Sequence, residues 1–224
     1  MNQLDYYRSD NEFDMNYKVF YPDRYEGLPL LVYLHGAGER GGESEHLFRH
    51  GIPKLIRKGM EIPAVVLCPQ CPTWAVWDNV VDRVKAIIDR VADQFSIQKD
   101  RICITGSSMG GFGTWMMGKT YPTFFAAIAP VAGGGMSWRA GNLRTTPVLA
   151  VHGACDRDVP PIYSELMVNA VQKKGGSAEL ILLDGLGHND GIDYAYRHTK
   201  LIEWLLSQRK QDFSPVAEYC SEFF

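Results

Sequence analysis

The sequence predicts an α/β protein: a mainly parallel, doubly wound sheet with helices on both faces. Three observations carry that expectation. Short continuous apolar runs end at turn residues, as strands buried on both faces do. Between them lie stretches with apolar residues three and four apart, as in amphipathic helices. Strands separated by helices of that length pair in parallel, with chemistry at their carboxyl ends.

In chain order, the alternating apolar positions from Met15 to Tyr21 read as the first strand. Leu30 to Leu34, Ala64 to Leu67 and Ile102 to Thr105 follow as fully buried strands, and Ala126 to Val131, Val148 to Val151 and Leu180 to Leu183 repeat the signature. Val80, Val84, Ile87, Ile88 and Val91 share one helix face, with Asp82, Arg83, Lys85 and Arg90 outward. A helical stretch runs from the turn after Thr105 to about Tyr121. Leu166, Ala170 and Val171 mark another helix, stopped by Lys173-Lys174-Gly175-Gly176. A final helix is expected from about Tyr194 to Ser207.

The 224 residues suit one domain over 1–224, with 208–224 as a C-terminal tail. Phe213, Tyr219, Phe223 and Phe224 suggest that the tail packs on something, and they make a homodimer worth testing without fixing the oligomeric state. A composition 46% hydrophobic and 22% charged excludes a disordered or fibrous chain. A net charge of −3 without a basic block gives no case for nucleic acid or an anionic membrane. No apolar run is long enough to span a bilayer. If the recorded start is the natural one, the polar amino terminus predicts a cytoplasmic protein, and five cysteines without metal-type spacing fit that expectation. Cys68 and Cys71 form a C-x-x-C, read as two small residues in a loop and not as a redox or zinc site.

The strand Ile102 to Thr105 leads into Gly106-Ser107-Ser108-Met109-Gly110-Gly111-Phe112-Gly113. Gly106-x-Ser108-x-Gly110 is a G-x-S-x-G turn between strand and helix, the context in which that motif presents a nucleophile. Its glycines are needed because side chains two residues from the serine would collide. Ser107 is the competing hydroxyl, but the glycine spacing centres on Ser108. A serine hydroxyl needs a base in hydrogen-bond reach and a third group to orient that base. Val148 to Val151 runs into Asp156, the candidate acid, with Asp158 as rival in the same loop. Leu180 to Leu183 runs into Asp184-Gly185-Leu186-Gly187-His188, which makes His188 the candidate base. His35 and His152 also sit at strand exits and read as structural His-Gly turns. Acyl transfer further needs N–H donors for an oxyanion. Met109 supplies one, and the loop His35-Gly36-Ala37-Gly38-Glu39-Arg40-Gly41-Gly42 the other, from Ala37 or alternatively Gly38.

Together these segments resemble the α/β-hydrolase superfamily over about residues 12–207, and within it small carboxylesterases and predicted peptidases of the phospholipase/carboxylesterase, dienelactone-hydrolase-like group. Residues 34–41 are similar to that group's oxyanion segment, and Cys68-Pro69-Gln70-Cys71-Pro72 with Trp74 and Trp77 to its proline-glutamine stretch and active-site tryptophan. Dienelactone hydrolases proper use a cysteine nucleophile, absent from this elbow. The resemblance implies a serine hydrolase cleaving esters of small soluble molecules, with Ser108, Asp156 and His188 as triad and no metal or cofactor. The alternatives are a serine peptidase of the prolyl-oligopeptidase-like type and a catalytically silent binding protein on the same scaffold. Only a short loop separates Ala132 from Pro147, where many lipases carry a lid. Trp74, Trp77, Met136, Trp138 and Gly38 are candidate pocket residues. Arg40 and Arg139 read as surface arginines, with pairing to a substrate carboxylate as the alternative.

Overall fold

A computed structural model of the protein describes residues 1–7 and 15–212. The expectations for the tail beyond 212, with its four aromatic residues, lie outside the described residues. Strands β1 (Asn2–Tyr6), β2 (Tyr17–Tyr21), β3 (Leu30–Leu34), β4 (Val65–Pro69), β5 (Ile102–Ser107), β6 (Ala127–Val131), β7 (Val148–Gly153) and β8 (Ala178–Leu183) form one sheet. Its order is β1-β2-β4-β3-β5-β6-β7-β8. The β1–β2 and β2–β4 pairs are antiparallel and all others parallel, the mainly parallel sheet that the apolar runs predict.

Helices cover both faces. α2 (Val81–Gln94), α3 (Met109–Thr120) and α4 (Ile162–Lys173) pack on one side, over a shared core that includes Leu34, Ile104, Ile128, Val148 and Ala150. α1 (Gly51–Arg57), α5 (His188–His198) and α6 (Leu201–Ser207) cover the other, against Leu31, Tyr33, Cys103 and Val151. The runs are continuous in sequence because alternate residues of each strand enter two different cores.

Four elements differ from the sequence expectation. β8, expected from Leu180 to Leu183 as a fully buried strand, lies at an edge of the sheet and leaves Leu182 exposed. β1 is an additional strand: at the edge of the sheet it leaves Asn2, Gln3 and Asp5 exposed or half-exposed, and it has no continuous apolar signal. α1 is a short helix whose first turn, Gly51-Ile52-Pro53, carries no periodic pattern long enough to read. The expected final helix is two helices, because Thr199 breaks it: its hydroxyl donates to Ala195 O and accepts the Leu201 N–H at 3.2 Å. That exchange ends α5 and starts α6 with one side chain.

The parallel register aligns the carboxyl ends of the central strands. Leu34 pairs with Gly106, Gly106 with Pro130, and Val131 with Val151. The loops leaving β3, β5, β6 and β7 therefore begin side by side at one edge of the sheet.

Candidate active site

β5 turns into α3 through Ser108, whose φ of +55° and ψ of −120° lie outside the regions L-residues favour. Such a conformation costs about 1–3 kcal/mol and persists only where surrounding contacts fix it. Here the Ser108 N–H donates to Val131 O at 3.0 Å and its carbonyl accepts the Phe112 N–H at 3.1 Å. The glycines make room. A Cβ on Gly106 would overlap the Gly110 carbonyl, and one on Gly111 would overlap Val131 O. The rival hydroxyl is occupied elsewhere: Ser107 is buried and sits 3.0 Å from the Tyr33 phenol.

The Ser108 Oγ lies 2.9 Å from His188 Nε2, and His188 Nδ1 lies 2.6 Å from Asp156 Oδ2. His188 is the first residue of α5, so the loop expected to carry it ends at its own position. Asp156 is buried, and its Oδ1 accepts the N–H groups of Asp158 and Val159 at 3.0 and 2.9 Å. Both carboxylate oxygens thus have partners, and a proton on Nδ1 leaves Nε2 to accept from the serine. Asp158, the rival acid, is exposed and takes part through its backbone N–H.

The two other strand-exit histidines brace the loops around this relay. His35 Nδ1 donates to Gly36 O at 2.6 Å, and its Nε2 accepts the Cys71 N–H at 3.0 Å. Burial drives its pKa down to about 4, so the ring is neutral and holds the loops after β3 and β4 together. His152 lies 2.8 Å from the Ser164 hydroxyl and from Val159 O, and 3.3 Å from Asp156 Oδ2. It anchors the loop that carries the acid.

Ala37 and Met109 each begin a helix, a position whose N–H has no acceptor within its own helix. Gly36, Ala37 and Gly38 border one cavity of about 230 Å³ together with Ser108 and His188. Glu39 and His50 also line it, and the sequence did not single them out. Burial pushes the Glu39 carboxyl up, with His50 and Arg49 pulling the other way.

The remaining pocket candidates are dispersed. Trp77 is a correction: it is buried, donates Nε1–H to His35 O at 2.9 Å and abuts Gly113, so it is a brace under α3 and not a wall. Trp74 is exposed and borders a separate depression with Thr73 and Gln70. Met136 borders a third cavity, and Trp138 is exposed with Arg139 over its ring. Arg40 donates to Ala37 O and Ala75 O, which ties it to the loop backbone. Gln70, quoted only as part of a stretch, donates to the carbonyls of Glu39, Gly41 and Glu43 and fixes the loop after β3. Cys68 and Cys71 are free, buried thiols, and burial pushes the Cys71 thiol up to about 12.

Known proteins share this arrangement of strands. A crystal structure described as a thermostable esterase superposes with a TM-score of 0.78 at 27% identity, covering 93% of this chain and 63% of that one. The chain has the α/β-hydrolase fold. The Prolyl oligopeptidase family matches residues 76–140 of it, which include the elbow and the loop after β6. A 2-hydroxy-6-oxononadienedioate/2-hydroxy-6-oxononatrienedioate hydrolase from Pseudomonas putida is 28% identical over 131 residues, 56% of this chain and 43% of that protein. An acyl-protein thioesterase 1 homolog from Dictyostelium discoideum is 24% identical over 205 residues, 77% of this chain and 88% of that protein. The chain spans under half the length of the first curated relatives it matches. No helix among the described residues of this hydrolase fold is long and apolar enough to cross a membrane.

Proposed function

We propose that this chain is a serine ester hydrolase that works through an acyl-enzyme on Ser108. The observation that carries the reading is the unbroken relay from Asp156 Oδ2 through His188 to the Ser108 Oγ, at 2.6 and 2.9 Å. His188 Nε2 takes the hydroxyl proton as Oγ attacks the ester carbonyl. The N–H groups of Ala37 and Met109 receive the oxyanion as the tetrahedral intermediate forms. The intermediate collapses when His188 returns the proton to the departing alcohol. Water, deprotonated by the same ring, then releases the acid. Asp156 holds the tautomer and balances the imidazolium.

Small, water-borne esters suit the site best. The interval from Ala132 to Pro147 holds a short loop and the short helical segment Ser137–Leu143, and neither borders the cavity at Ser108. Resemblance to an esterase and to an acyl-protein thioesterase homolog supports the ester reading. The free thiols Cys68, Cys71, Cys103 and Cys155 suit the reducing cytoplasm. A second reading, peptide hydrolysis, is favoured by the Prolyl oligopeptidase match alone. A panel of p-nitrophenyl esters, acetylated sugars, feruloyl esters and short peptides separates the two. Ester turnover exceeding peptide turnover supports the proposal; cleavage of the peptides alone overturns it.

A further inference from the structure

A separate cavity of about 230 Å³ lies between α3 and the loop leaving β6. Phe112, Met116 and Lys119 border it from α3, at positions i, i+4 and i+7, which share one helix face. Gly134 and Gly135 stand opposite, and Tyr163 closes it from α4. Two members of the stripe are apolar, and the third is a lysine only 1% exposed.

The Lys119 ammonium has three protons to donate, and its nearest acceptor is the Met136 carbonyl at 3.5 Å. No carboxylate among the described residues forms an ion pair with it. Gly135 makes its space, since a Cβ there would stand 3.0 Å from Nζ. Asp78 lines the same cavity and its carboxylate favours the charged form of Lys119, whereas Arg139, from the segment after the loop, acts on Lys119 from outside the lining and disfavours it. The two charged residues of the lining, Lys119 and Asp78, are not in ion-pair contact, so the ammonium has no carboxylate bound to it. A buried ammonium with its protons unspent and no counter-charge in contact is suited to receive an anion.

We propose that this cavity is an anion subsite, in which Lys119 receives a carboxylate carried by the ester substrate. The inference rests on Ser108 as the nucleophile. Helix rise places the Lys119 Cα about 16 Å along α3 from Ser108, and its side chain leans back some 6 Å toward the amino terminus. The ammonium therefore stands on the order of 10 Å from the reacting hydroxyl, roughly eight bonds of an extended chain. Phe112, Met116 and Tyr163 supply the apolar wall of the cavity that holds the ammonium. The substrate class is thus an ester with a free carboxylate at its far end, such as a half-ester of a medium-chain dicarboxylic acid.

The test compares aryl monoesters of suberic acid, free at the second carboxyl, with the same esters capped there by methyl; a second pair carries the carboxylate in the alcohol. Wild-type protein is expected to favour the free acid of at least one pair tenfold or more in kcat/KM. Burial, and then Arg139, hold the Lys119 pKa at about 8, so that preference is present below pH 8 and lost as pH rises through it. Lys119→Met brings the ratio to about one. Binding of suberate to Ser108→Ala, followed by calorimetry, reports the subsite without turnover and is lost in Ser108→Ala/Lys119→Met. Equal wild-type use of free and capped esters in both pairs, or suberate binding that survives Lys119→Met, overturns the proposal. Absence of ester turnover with suberate binding intact would instead count against the Ser108 reading alone.

Discussion

Gly110 packs its α-carbon directly against the carbonyl of Leu34, so that a methyl group there would overlap the end of β3. The contact seats the amino terminus of α3 against the strand that leads to the loop of Ala37. It thereby sets the distance between the two helix starts that face Ser108.

Gly110→Ala is therefore expected to destabilise the protein by about 3 kcal/mol or more, since neither backbone can move without displacing the sheet. A Cβ on Gly38 would meet nothing within 4 Å, so Gly38→Ala stays within about 0.5 kcal/mol of wild type. Urea unfolding of the two variants checks the contrast; equal midpoints would remove the steric account of the elbow.

Asp156 and Asp158 share a loop but differ in what they touch. Asp156→Asn is expected to lower kcat by about 10⁴, because the amide no longer selects the tautomer that leaves Nε2 free. Asp158→Asn keeps the backbone N–H that Asp156 accepts and stays within about threefold. Steady-state kinetics on any ester the wild type cleaves decides the matter, and the reverse ranking would reassign the acid.

His35 is fully buried with a pKa near 4, against an ordinary value of 6.5. The unfolded chain takes up the proton first, so stability is present above pH 6.5 and is lost as pH falls toward 4. The shift corresponds to roughly 3 kcal/mol. His35→Gln, which cannot titrate, is weaker at pH 7.5, where it lacks the imidazole's two bonds. The stability gap to wild type should narrow by nearly that amount at pH 4.5. A gap independent of pH would mean that folding leaves the His35 pKa at its ordinary value.

Much of the fold is legible because the central strands bury both faces: Leu30 to Leu34 and Ile102 to Thr105 give unbroken apolar runs that end at turn residues. The relay is legible for a different reason. Ser108, Asp156 and His188 each follow such a run, and strand exits converge in a parallel sheet. What the sequence conceals is whatever depends on an edge or on a neighbour. β1 has no apolar run because water covers much of it. Thr199 divides the last helix through two hydroxyl bonds that periodicity does not register. Trp77 reads as a pocket residue from its place in the chain, yet its indole is spent on His35 O. Lys119 has the hydropathy of a surface residue and lies in the interior, because Gly135 leaves it room.

The most direct measurement of the central claim is the reaction of wild-type and Ser108→Ala protein with a fluorophosphonate, read beside turnover of a p-nitrophenyl ester. Wild type should label once, at Ser108, and cleave the ester. Ser108→Ala should not label, and its kcat should fall by roughly 10⁴ to 10⁶. Labelling at another residue, or ester turnover that survives Ser108→Ala, would contradict the assignment of Ser108 as the nucleophile.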